Sequence, residues 1–117
     1  MKLTNLIEVK RKNMPQIKGK DIPELLEALN DNGIAYRHGN IAVNLLKPSQ
    51  EDVIQSKLDN MTKELTNGKD FSPIIISSDA HVIDGHHRWL AVRQVYGNDA
   101  RIDAIMIMLS KEEILPT

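Results

Sequence analysis

Cysteine is absent from this chain of 117 residues. That one absence excludes disulfides, thiolate zinc sites and a cysteine nucleophile, and it fits a reducing compartment. Long hydrophobic runs are missing too. The longest strongly apolar stretch, residues 102 to 109, is interrupted by Asp103 and falls far short of the roughly 20 residues that a membrane-spanning helix needs. Near the N-terminus Lys10, Arg11 and Lys12 follow a short apolar patch, the wrong order for a secretory signal. The expectation is a cytoplasmic protein without membrane contact. Internal repeats and low-complexity tracts are lacking. So are Walker-type and dinucleotide fingerprints, and no G-x-S-x-G elbow surrounds Ser72, Ser77 or Ser78.

A large excess of one charge is also missing, since the formal net charge is −1. A dedicated duplex-DNA binder usually carries a basic face and a high isoelectric point. The charge is unevenly spread, however. Residues 1–20 hold Lys2, Lys10, Arg11, Lys12, Lys18 and Lys20 against Glu8, giving +5; the remainder carries nine basic and fifteen acidic residues, giving −6. This reads as a basic N-terminal arm, residues 1–20, before one domain, residues 21–117. Such an arm is most simply solvated, and it could also meet nucleic acid or an acidic partner.

What the sequence does contain is a succession of short elements. Asp21, Pro23 and Glu24 predict a helix start, Leu25, Leu26 and Leu29 its apolar face, and Asn32-Gly33 its end. "IAYR" and "IAVNLL", joined by His38-Gly39-Asn40, predict a hairpin. Ser49 is placed to cap a second helix, along which Ile54, Leu58, Met61 and Leu65 recur until Asn67-Gly68. "SPIIIS" and "HVID" predict two strands, and His86 to Tyr96 a helix whose Trp89 is a core or half-buried anchor. "RIDAIMIML" predicts a last strand, with Ser110 and Glu113 opening a short final helix. The fold class expected is α+β, a small mixed sheet with packed helices.

The chemistry concentrates in "VIDGHHRWLA", residues 82 to 91. If a helix begins at His86, Asp84 is the natural N-cap and Gly85 lets the chain turn tightly. The amides and dipole of a helix N-terminus attract anions. His86, His87 and Arg88 add donors around it, with Arg88 offering a planar fork suited to phosphate. The spacing alone equally allows a plainer arrangement, with Asp84 only a cap, His87 packed and Arg88 solvated. A metal site has weaker support: vicinal histidines point about 100° apart around a helix, and Asp84 with one of them lacks a third ligand. His81 reads as an exposed strand histidine near the turn, and His38 as a turn residue.

"PIIISSDAHVIDGHHRWLAV", residues 73–92, closely resembles the signature of the ParB/sulfiredoxin-like superfamily, in which two strands lead into Asp-Gly-x-His-Arg at a helix start. "LLKPSQEDVIQSKLDNM", residues 45–61, resembles the family's preceding segment, so the likeness covers about residues 41–108. It implies a compact ParB/sulfiredoxin-like domain in which Gly85, His86, His87 and Arg88 contact the phosphate of a nucleotide or nucleic acid. Asp84 would cap the helix or help hold Mg²⁺. The activities it implies are a nuclease, or an ATP-dependent (or other nucleotide-dependent) phosphoryl-transfer or hydrolysis enzyme, with His87, Arg88 and Asp84 as catalytic residues. The alternative is a non-catalytic nucleotide- or DNA-binding domain, or a protein-interaction module. Sulfiredoxin chemistry is excluded, because His86 stands where that enzyme has its cysteine. "MPQI" with "DGHHRW" resembles the short ParB-like nuclease-domain proteins of tailed bacteriophages. That resemblance implies a host-cytoplasmic location and a phage or host protein as partner of the basic arm. No general base is evident, Glu24, Glu27, Glu51 and Asp52 being candidates only if the fold brings one close.

Overall fold

The computed structural model describes residues 22–49 and 53–115. The expected arm at residues 1–20, the Asp21 cap, Glu51 and Asp52 lie outside them.

Helix α1 (Ile22–Asp31) buries Leu25 and Leu29 on one face. Strand β1 (Tyr36–Ala42) runs into a single 3₁₀ turn at Val43–Leu45 and the two-residue strand β2 (Lys47–Pro48). Helix α2 (Gln55–Thr66) leads to strands β3 (Ile74–Ser77) and β4 (His81–Asp84). Helix α3 (His86–Tyr96), strand β5 (Arg101–Ile107) and the one-turn helix α4 (Lys111–Ile114) complete the described chain. The expected capping box is present at α4, where the Ser110 side chain and Glu113 cap each other's backbone amides.

The five strands form one mixed sheet in the order β1-β5-β3-β4-β2. β1 runs antiparallel to β5, β3 parallel to β5, β3 antiparallel to β4 and β2 parallel to β4. Side chains alternate across a strand, so the sheet has two buried faces. Ile75, Ile83, Ile105 and Ile107 pack with Leu25, Leu29 and Ile114 of the helices α1 and α4. Ile74, Ile76, Val82, Ile102 and Ala104 pack with Leu65 of α2 and with Trp89, Ala91 and Val92 of α3. Trp89 is the anchor expected, 4% exposed, with its indole N–H donating to the Val43 carbonyl at 2.9 Å.

Two expectations are corrected. Residues 34–46 are not a hairpin. Gly39 sits inside β1 opposite Ala104 without a left-handed backbone, because seven residues pair with β5 in unbroken register. A long-range ladder overrides the local turn signal of His38-Gly39-Asn40. Nor does Ser49 cap a helix: α2 starts at Gln55, with Ile54 at the cap position, and Ser49 is held elsewhere.

Candidate functional site

The corner singled out by the sequence lies where β4 ends and α3 begins, next to the centre of the sheet. Asp84, Gly85, His86, His87 and Arg88 are all brought together there, and all are buried. The helix is capped by Gly85 rather than by Asp84. Gly85 has φ 100°, a left-handed conformation that costs glycine nothing and other residues dearly. Space imposes the same choice: a Cβ on Gly85 would stand 2.6 Å from the Ile74 Cγ2 and 2.9 Å from the Arg88 Nη2. No side chain caps the helix through this residue, and the amides of a first helical turn have no intrahelical acceptor.

Asp84 faces inward. Its Oδ2 accepts from the Arg88 Nη2 at 2.9 Å, with side-chain exposures of 2% and 4%. The Nη1 of Arg88 donates to the carbonyls of Ser72 at 3.0 Å and Pro73 at 3.1 Å. Arg88 thus ties the approach to β3, the end of β4 and the first turn of α3 into one unit. Burial pushes the guanidinium's pKa down, while the Asp84 charge and hydrogen bond pull it up; an arginine stays charged throughout. Its Nε is buried and has no hydrogen-bond partner among the described residues.

The two histidines act as acceptors. The Ser49 backbone N–H donates to the His86 Nε2 at 3.0 Å, with the Ser49 hydroxyl at 3.3 Å. The Ile54 backbone N–H donates to the His87 Nε2 at 2.9 Å. An Nε2 that accepts carries no proton, so both rings are in the neutral Nδ1–H form at these contacts. Burial holds the His87 pKa below its ordinary value, and Lys57 adds to the shift. The vicinal placement now has a structural reason: about 100° apart on the helix, the rings reach opposite ends of the connection from β2 to α2. The sequence offered no direct signal for this, since the partners are backbone amides more than thirty residues upstream.

The remaining candidates disperse. Glu24 lies in α1, as does Glu27, and that helix packs on the opposite face of the sheet from α3. Neither reaches the corner. Ser77 is buried and bonded to Asp79 and to the His81 N–H, inside the turn between β3 and β4. Asp79 also accepts from the Lys111 N–H. Its slight burial raises the Asp79 pKa, but the hydrogen bonds from Ser77 and Lys111, with the His81 ring close by, outweigh that and hold it below the usual range. His81 is part-buried rather than exposed, its Nδ1 3.3 Å from Asp79. His38 belongs to a strand, not a turn, and pairs with Asp103 at 3.1 Å. Mg²⁺ at Asp84 does not fit this chemistry. The carboxylate is spent on a guanidinium in a dry site, and among the described residues no three His, Asp or Glu side chains cluster as a ligand set.

An α+β domain of ParB-like fold is what this arrangement defines: a mixed five-stranded sheet, helices on both faces, and a glycine-capped helix after the β3–β4 pair. Solved structures of similar fold include two ParB N-domains. The C222₁ crystal form of a pNOB8-like ParB-N domain matches with a TM-score of 0.56 at 15% identity, over 68% of this chain and 33% of that one. A second structure of the pNOB8-like ParB N-domain gives 0.54 at 18% identity, over 68% of this chain and 30% of that one. The chain therefore spans about a third of the length of these neighbours. No protein-family model and no curated protein sequence matches it. Among the described residues no helix is long and apolar enough to cross a membrane.

Proposed function

We propose that this chain is a ParB-like binding domain that takes the phosphate of a nucleotide or nucleic acid on the first-turn amides of α3 and does not turn it over. The observation that carries this reading is Gly85, a left-handed cap without a side chain at the head of an eleven-residue helix; the amides of a first helical turn have no intrahelical acceptor, and the dipole there favours an anion. The resemblance of "DGHHRW" to the phosphate-contacting motif of the superfamily supports it. The inventory of side chains speaks against the nuclease and phosphoryl-transfer readings. Arg88 is spent on Asp84, Ser72 and Pro73, and His86 and His87 are spent on Ser49 and Ile54. No described carboxylate stands by as general base, a role that needs hydrogen-bond reach of the reacting proton.

One observation favours a second reading. The corner is buried and its bonds run inward, as they would if the motif were purely an internal fastening of a protein-interaction module. A titration of the ¹⁵N-labelled full chain with ATP, CTP and a single-stranded oligonucleotide, each with and without Mg²⁺, separates the two. Binding at the corner moves the amides of residues 85–88 and stabilises the fold by about 2.7 kcal/mol at 100 times the Kd. No response from any of these ligands overturns the phosphate reading in favour of the fastening. Release of inorganic phosphate or strand cleavage would overturn the claim of binding without turnover.

A further inference from the structure

Among the described residues β1 is the outermost strand of the sheet, with β5 its single neighbour. The Ala35 carbonyl accepts from the Met108 N–H and the Val43 N–H donates to the Ala100 carbonyl, so these residues point toward the β5 side. By the alternation of an antiparallel ladder, Arg37, Gly39 and Ile41 point the same way. Tyr36, His38, Asn40 and Ala42 then turn their N–H and C=O groups outward. Arg101 covers one of these groups, its Nη2 donating to the Asn40 carbonyl at 3.0 Å. Tyr36 and His38 keep both of theirs open among the described residues. An edge with unpaired valences is a template for another strand.

Beside that edge lies a groove of about 310 Å³. Ile41, Ile76, Ala104 and Met106 give it an apolar floor, and Gly39 leaves a notch where an added Cβ would meet nothing within 4 Å. Arg37 lines the groove without an ion-pair partner among the described residues. Arg101 is held by the neutral Asn40, and the Asp103 carboxylate is already paired with His38. This end of the sheet is basic in a body, residues 21–117, that carries fifteen acidic against nine basic residues.

We propose that the free edge of β1 and its groove dock an extended acidic segment of a partner protein, taken up as a sixth strand. Main-chain bonds to Tyr36 and His38 supply attachment, and side chains that alternate along the incoming strand supply selectivity. Apolar ones fill the notch over Gly39, and a carboxylate meets Arg37. The apolar floor and the open backbone favour a peptide over a nucleic-acid strand, whose phosphates would use the cations alone.

The test uses the ¹⁵N-labelled full chain and an eight-residue peptide of alternating glutamate and valine. Three probes accompany it: the lysine-valine counterpart, the glutamate-valine peptide with alternate backbone amides N-methylated, and a ten-nucleotide oligothymidine. The acidic peptide should shift the amides of residues 36–40 and leave those of 85–88 in place, which keeps this docking distinct from phosphate binding. Arg37→Glu should weaken it about tenfold, as loss of a charge contact does, and should improve the lysine-valine peptide. His38→Pro removes an outward N–H without costing a main-chain bond to β5; it gives up the exposed contact to Asp103, a small loss, and it should weaken binding with little change in melting temperature. Gly39→Val should close the notch with the same result. Equal binding of the N-methylated peptide would overturn strand addition. No shift at β1 with the acidic peptide would overturn the proposal, and a β1 shift with oligothymidine alone would replace it by a nucleic-acid edge.

Discussion

Two polar clusters stand on this sheet, and they are built on opposite principles. At the head of α3, Asp84 and Arg88 are 2% and 4% exposed and meet each other and two carbonyls in a dry site. At the β1–β5 end, His38 and Asp103 are 53% and 56% exposed and meet in water, next to Arg101 and Asn40. The bond lengths are alike, 2.9 and 3.1 Å. The energetics are not. A buried charge that loses its partner keeps its whole desolvation penalty, whereas an exposed one is rehydrated. The difference teaches that a polar motif can be chemically eye-catching because it holds the fold, and that an unobtrusive surface pair can leave a neighbouring cation available for a partner.

The largest expected effect follows at Arg88. Arg88→Ala takes the guanidinium away from the buried Asp84 carboxylate and from the Ser72 and Pro73 carbonyls, so we expect a loss of about 3–5 kcal/mol in urea unfolding. The paired substitution Asp84→Leu with Arg88→Met should recover most of it, since apolar side chains of similar volume can replace a buried ion pair at little cost. A single variant that unfolds like wild type would show that this corner is hydrated and would remove the contrast. Gly85→Ala comes next, at about 2–4 kcal/mol from a left-handed alanine and the crowding at Ile74 together. A stability unchanged in that variant would mean that the cap relaxes to another conformation.

How far the sequence made these clusters legible follows from the range of the forces involved. The α3 start, the Trp89 anchor and the capping box at Ser110 were legible because they are local, set by turn chemistry and helical period within a few residues. The β1 strand was not. Its His38-Gly39-Asn40 centre has turn composition, and only the distant β5 supplies the ladder that straightens it. At the candidate site the residue types marked a corner that the fold does assemble, but not the internal partners these side chains take. Asp84 and Arg88 satisfy each other across the junction, and His86 and His87 accept backbone amides from Ser49 and Ile54. A backbone donor leaves no mark on composition, so no reading of side-chain types along the chain could have found it.

Acid sharpens the comparison at intermediate scale. The His87 pKa is depressed in the folded state by burial and Lys57 from an ordinary 6.5. A depressed histidine favours the fold while it is neutral, so its contribution is complete above about pH 6.5 and is lost as the pH falls below that value toward the folded pKa. Unfolding free energies measured between pH 7.5 and 5 should decline, and His87→Ala should make the decline shallower. The same variant should cost about 1 kcal/mol at pH 7.5 through the orphaned Ile54 amide, a low figure because Ile54 is half exposed. An undiminished slope would assign the acid sensitivity to another group.

The smallest effect is expected where the pair is most exposed. Asp103→Asn removes the charge opposite His38 while keeping a side chain that can still hydrogen-bond, and the loss should lie below about 1 kcal/mol, shrinking further in 0.5 M salt. A double-mutant cycle with His38→Ala checks this directly, because it isolates the coupling of the two side chains from what each does alone. A coupling near zero places the pair on the surface and in reach of solvent and partners. It also means that Arg37 and the edge of β1 can be altered to test peptide docking without disturbing the fold beneath. A coupling well above 1 kcal/mol would mean that this end of the sheet is covered in solution. Covered by a second copy of the chain, the coupling would depend on protein concentration, and dilution would reveal it.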